Sequence, residues 1–151
     1  MKLGEFLTNA PPATGSAKKE KVEFTLLGRN SSAAQVETTG FACFALVTDK
    51  DHEEADLLAL KSLRETSQDM GGVVPQNAMS VRERAQFLSA ALRNWDDPRE
   101  RFATADELQR HVSRTDLERI EREYHQWVAK HYPTRVTKED RQALKHEAVG
   151  K

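Results

Sequence analysis

Histidine, cysteine and clustered carboxylates are the residues of this chain that could carry chemistry. The five histidines are His52, His111, His125, His131 and His146. A zinc site needs several ligands converging at set spacings, and no HExxH is present. His125 and His131 fall on different sides of a helix. Glu121 and His125 stand at i,i+4, which makes a surface hydrogen bond but an incomplete metal site. The single cysteine, Cys43, lies within the apolar run FACFALV, where a thiol is buried and unactivated. There is no GxGxxG, no GxxxxGK[ST] and no GxSxG, so phosphate cradles and nucleophile elbows have no basis here. The carboxylates Asp96, Asp97, Asp106, Glu107, Asp116, Glu118, Glu121 and Glu123 sit mostly in first turns of helices or at i,i+4 from arginine, as Glu118 does from Arg122. Helix dipoles and local ion pairs explain those placements without catalysis. The chain is expected to be no enzyme, to hold no metal and to need no cofactor.

Composition narrows the rest. Lys and Arg total 23 against 24 Asp and Glu, a net charge of −1. That balance argues against a general nucleic-acid binder, which carries a basic excess. One cysteine cannot form an internal disulfide, and a reducing compartment is the simple reading. The first residues, MKLGEFLTNAPPATG, lack the apolar run of a signal peptide, and no stretch approaches the roughly 18 apolar residues of a membrane span. The expectation is a soluble, cytoplasmic protein.

The elements that would hold any site follow from periodicity. Residues 1–21 read as an arm: 10–16 have linker composition and Lys18-Lys19-Glu20-Lys21 is a solvated charge run. Residues 22–148 form one globular domain. Within it, 22–48 contain strands. Val22, Phe24 and Leu26 alternate with polar residues to predict a strand ended by Gly28, and 35–38 fit a short edge strand. Residues 41–47, apolar on both faces, fit either a central strand or the first turns of a buried helix; Gly40 and the aromatic content favour the strand. A helix is predicted over 51–66, capped by Asp51, with Leu57, Leu60 and Arg64 on one face, and with Leu58, Leu63 and the Ala55–Ala59 edge widening the apolar stripe. Residues 67–79, with Gly71-Gly72 and Pro75, form a flexible loop, read as a hinge. The helical part spans 80–148. Capping boxes at Ser80–Glu83, Thr104–Glu107 and Thr115–Glu118 open three helices. Asp97-Pro98 stops the first, which runs over 80–94, and Pro133 stops the third. A weaker helix is predicted over 137–148. The fold class is therefore α+β, mainly α: a small N-terminal β-hairpin or sheet followed by a bundle of about four helices.

The arrangement points to a protein that binds another protein. Phe87, Trp95, Phe102, Tyr124 and Trp127 are concentrated in the second half. Trp95 and Phe102 flank the charged turn DDPRER, where they either clamp the turn onto the helices or present an anchor to a partner. The stripe Leu88–Leu92 lies behind them. The residues expected to meet a partner are Leu88, Leu92, Trp95, Phe102, Tyr124 and Trp127. An alternative is a small regulatory adaptor or a helix-turn-helix DNA-binding protein that uses 111–131. Its recognition helix would begin Thr115-Asp-Leu-Glu-Arg-Ile-Glu-Arg-Glu, and those acids are wrong for an approach to phosphates.

The run Phe87-Leu-Ser-Ala-Ala-Leu-Arg-Asn-Trp-Asp-Asp-Pro, then Arg101-Phe-Ala-Thr-Ala-Asp-Glu-Leu, then a helix with Leu117 and Tyr124, resembles the tail assembly chaperones of long-tailed bacteriophages. The resemblance covers 81–127, about a third of the chain. It implies a small strand-containing part joined to a helical part, no catalysis and no cofactor. It implies the phage tape-measure protein as partner, coated until the tail tube polymerises around it. It also implies a longer form of the same chain, made by frameshifting near the end of the shorter frame; the terminal Val149-Gly150-Lys151 is compatible with a slippery codon pair. Homo-oligomers are compatible too, and a membrane partner is not implied. A tape-measure segment is an amphipathic helix that aggregates when bare, so a helical groove with apolar anchors would keep it soluble.

Overall fold

The computed structural model describes residues 2–5, 19–73 and 75–133. Two strands open the fold: β1 (Val22–Arg29) and β2 (Gln35–Phe44). They form an antiparallel hairpin in which Val22 faces Ala42 and Arg29 faces Gln35. The hairpin turns because the Asn30 side chain accepts from the amides of Ser32 and Ala34, both at 3.0 Å, and Ala33 adopts φ 61°. The run over 41–47 therefore splits. Its first half continues β2, merged with the expected edge strand at 35–38, and its second half leaves the sheet. The Ala45 amide donates to the Ala91 carbonyl, and the Val47 amide to the Tyr124 hydroxyl.

Helix α1 (Asp49–Asp69) is longer than expected at both ends. Thr48, not Asp51, is its cap: the Thr48 hydroxyl accepts from the Asp51 amide while the Asp51 carboxylate accepts from the Thr48 amide. The buried face is the Ala55–Ala59 edge of the predicted stripe, with Leu60 and Leu63 half-buried, whereas Leu57 is 59% and Leu58 47% exposed and neither belongs to the inward face. Small residues allow α1 to lie close against α2 (Ala78–Ala91), and Arg82 joins the two through Ser62 Oγ and Thr66 Oγ1. Helix α2 starts before Ser80. Asn77, at φ 69°, turns the chain into it without a side-chain cap, so the expected Ser80–Glu83 box lies inside the helix. The helix also ends earlier than predicted. Leu92–Asn94 become β3, because the open edge of β2 offers these residues backbone partners that a further helical turn would forgo.

Two helices complete the described fold. α3 (Ala105–His111) opens with the expected Thr104–Glu107 box. α4 (Arg114–His131) is capped by Ser113 rather than by Thr115, with its hydroxyl accepting from the Asp116 amide. The observed class is α+β and mainly α, with a three-stranded antiparallel sheet in the order β1-β2-β3. The predicted helix at 137–148 lies outside the described residues, as do 6–18 of the arm.

One face of the sheet meets the helices. Val22, Phe24, Ala42 and Phe44 pack against Phe87, Leu88 and Leu92, and against Leu108, Val112, Leu117, Ile120, Tyr124 and Trp127. The Tyr124 ring sits edge-on to Phe44 at 5.5 Å and to Phe87 at 4.9 Å. Gly40 is required in this face: a Cβ there would stand 2.8 Å from Leu26 Cδ1, 2.9 Å from Leu26 Cγ and 3.1 Å from Phe24 Cε2. Gly40→Ala is expected to lower stability by about 1–3 kcal/mol through overpacking. Urea unfolding checks this, and an unchanged midpoint would show that Leu26 moves aside freely.

Candidate apolar cleft and cationic strand face

The candidate surfaces depend on how the sheet edges are closed. The outward backbone of β1 is met by three side chains. Arg119 Nη2 donates to the Glu23 carbonyl at 2.7 Å, the Thr25 amide donates to Asp116 Oδ2 at 3.3 Å, and His111 Nδ1 lies 2.8 Å from the Leu27 carbonyl. A carbonyl only accepts, so His111 carries its proton on Nδ1. On the far edge, β3 is covered by the chain after the turn: the Asn94 amide donates to the Glu100 carbonyl and the Phe102 amide to the Leu92 carbonyl. Asp116 and Arg119, near the start of α4, are thus engaged with β1.

The His111 contact brings α3 over the end of the hairpin. Between them lies a cleft of about 360 Å³, lined by Leu26, Leu27, Val36, Phe102, Leu108 and Val112. Glu37, Thr38, Glu107 and His111 supply its polar edge. The Glu107 carboxyl is held below the usual range by the Thr104 amide and hydroxyl, so it stays ionised at the rim. Val36 is 44% exposed, and the floor is the buried Leu108.

Of the six residues expected to meet a partner, four are corrected. Leu88, Leu92, Tyr124 and Trp127 are buried in the core and cannot present a surface in this fold. Helical spacing marks a face as apolar without saying whether the protein or a partner covers it. Phe102 is half-buried, lies edge-on to Phe24 at 5.2 Å and lines the cleft. Trp95 is half-buried on the other face of the sheet, edge-on to Phe41 at 6.5 Å. The two residues that bracket the DDPRER turn therefore do not share a site. The turn closes on itself, with Arg99 Nε donating to Asp97 Oδ1 at 3.0 Å. The Arg99 guanidinium holds the Asp97 carboxyl below its ordinary range.

Trp95 belongs to a cationic patch that the sequence reading missed. Lys19 Nζ stands 4.1 Å from the Trp95 ring centroid, and Lys21 Nζ 4.2 Å from that of Phe41. Glu20 turns the other way, to Lys130 Nζ at 2.6 Å and His131 Nε2 at 3.1 Å. The Lys-Glu-Lys run is no loose charge cluster but an extended segment with a period of two, and that alternation was visible in the sequence.

The remaining polar candidates find structural partners. Glu118 and Glu121 both hold Arg84, so the expected Glu118–Arg122 pair and the Glu121–His125 pair are not formed. His125 and His52 instead lie nearly parallel to the Phe87 ring. The Cys43 thiol is buried, and burial pushes its pKa up. Among the described residues, no group of three or more His, Cys, Asp or Glu is placed to hold a metal ion. No helix of the described residues is long and apolar enough to cross a membrane. No protein family, curated protein or solved structure matches the chain.

The Glu20 contacts give a pH signature. Hydrogen bonds from Lys130 and His131 hold the Glu20 carboxyl below the usual glutamate range. A depressed folded-state pKa adds stability above the unfolded pKa, about 4.3 for glutamate, and loses it as pH falls through the folded value. Glu20→Gln is therefore expected to cost less than about 1 kcal/mol near neutrality, because the pair is well exposed. The difference from the parent should vanish in acid. Denaturation across pH checks this, and a gap that widens on acidification would contradict the assignment.

Proposed function

We propose that this protein is a non-enzymatic tail assembly chaperone of a long-tailed bacteriophage. In this reading it covers amphipathic helical segments of the tape-measure protein in the host cytoplasm until the tail tube polymerises. The observation that carries the reading is the cleft between the β1–β2 hairpin and α3. It is open, almost wholly apolar, and rimmed by Glu37, Glu107 and His111. A helix could lay leucine-sized side chains along Leu26, Val36 and Phe102 while its polar side meets that rim. The resemblance over 81–127 supports the same assignment, and Phe102 lies in both the resembling run and the cleft. A longer, frameshifted form of the chain would share the cleft.

Co-expression with the tape-measure protein of the same genome tests this. The expected result is co-purification and a higher soluble yield of the partner. Val36→Asp places a charge in the cleft at an exposed position. It should weaken the complex by roughly tenfold or more while leaving the thermal midpoint within a few degrees of the parent. The reading fails if the parent chain neither co-purifies with the tape-measure protein nor raises its solubility.

A further inference from the structure

The sheet face opposite the core carries cations that no described residue neutralises in an ion pair. Arg93, on β3, lies directly between Cys43 of β2 and Arg101 of the covering segment. Its Nε is buried and has no hydrogen-bond partner among the described residues. Burial, then the neighbouring Arg101, lower the Arg93 pKa, and Asp51 is the nearby acid that opposes this. Asp51 already accepts from the Thr48 amide in the cap of α1. Arg101 is exposed, and among the described residues its side chain reaches only the Ser89 hydroxyl, at 3.4 Å. Lys19 and Lys21 complete the patch, held over Trp95 and Phe41. None of these four cations forms an ion pair among the described residues, whereas Arg84, Arg110 and Arg119 all do. Residues 6–18, which lead into the patch, contain no Asp or Glu.

The Nε itself is shut off from outside, so the part of this half-buried cation left to meet a ligand is the end of its guanidinium, and a half-buried cation without an ion pair is costly. We propose that Arg93 and Arg101, flanked by Lys19 and Lys21, form a receptor for a carboxylate side chain of a partner protein. Two guanidinium groups on residues opposed across one strand pair suit a single planar oxyanion held by paired N–H donors. A polynucleotide fits less well. Its stacking platform would be Trp95, whose ring already carries Lys19 on a face and Phe41 at its edge. This surface lies on the other side of the sheet from the cleft, and the assignment does not depend on what the cleft holds.

The test uses the full chain and glutarate, a small dicarboxylate, at an ionic strength kept constant with chloride. Nitrogen-edited NMR follows the arginine Nε–H resonances, and thermal melts follow stability. Saturable shifts of the Arg93 and Arg101 resonances and a rising midpoint are expected. Arg101→Gln should weaken both responses about tenfold, the loss of one charge-assisted contact. Arg93→Met removes the half-buried cation. It should leave the midpoint in chloride unchanged or higher and abolish the response to glutarate. An Arg93 that is merely structural predicts a lower midpoint for Arg93→Met and a full glutarate response in Arg101→Gln, and that pattern overturns the proposal. Absence of any saturable shift with glutarate in the parent chain also overturns it. So does a response to inorganic phosphate without one to glutarate, or tight, steeply salt-dependent binding of a short single-stranded oligothymidylate, which would reassign the patch to a polyanion. If Arg93→Met does not fold, the exposed Arg101→Gln still decides the outcome.

Discussion

The backbone of a three-stranded sheet has two edges whose N–H and C=O groups must be satisfied from outside it, and the rest of this fold is arranged around that requirement. On the β1 side the partners are side chains: Arg119, Asp116 and His111 reach Glu23, Thr25 and Leu27 in turn. Those contacts fix the start of α4 and the end of α3 against the hairpin. On the β3 side the partner is backbone, supplied by 100–102 after the DDPRER turn. That pairing places Arg101 beside Arg93 on one sheet face and Phe102 against Phe24 on the other. Both candidate surfaces are consequences. The cleft exists where His111 holds α3 over the end of the hairpin, with Leu26, Val36 and Phe102 along its walls. The cationic patch exists because edge closure sets two arginines opposite one another.

The edges also explain which elements could be read from the sequence. Alternation is local, so β1 was legible from Val22, Phe24 and Leu26, but Gly28 does not end it: paired with Val36, it lets the strand run on to Arg29. The Thr104–Glu107 box was legible because its cap, its acid and the following apolar positions are contiguous. β3 was not, since Leu92-Arg93-Asn94 are extended only by virtue of β2 lying alongside. A helical pattern that ran on to Trp95 described the same residues equally well. The ends of α2 failed for a related reason. Ser80 and Glu83 have the spacing of a cap, but Asn77 at positive φ begins the helix earlier and makes the box redundant. On α1 the expected stripe put Leu57 and Leu58 beside the Ala55–Ala59 edge, yet only the two alanines are fully buried. Close helix approach selects small residues, and a hydrophobicity pattern weighs them least.

The candidate site shows the same limit in sharper form. Leu88, Leu92, Tyr124 and Trp127 were recognisable as apolar positions, but only the packing shows that Phe44, Phe87 and their neighbours cover them. Phe102 was recognisable and does line a surface cleft. Its neighbours there come from β1 and β2, distant in sequence and joined to it only by the hairpin register. Trp95 and Phe102 looked like a pair because they bracket one turn. A strand pair on either side of that turn sends them to opposite faces.

The two faces impose different demands on anything that binds them. The cleft is apolar and gains from covering surface, a term that tolerates sliding and repeated registers. The arginine pair gains from one oriented contact, which tolerates neither. A protein that must cover many similar helical segments is served by the first kind of surface and would be slowed by many contacts of the second kind. One carboxylate receptor on the opposite face of a thin sheet is compatible with both demands. It would fix the position of the chain relative to a single acidic residue and leave the cleft free to accept whichever apolar stripe lies within reach.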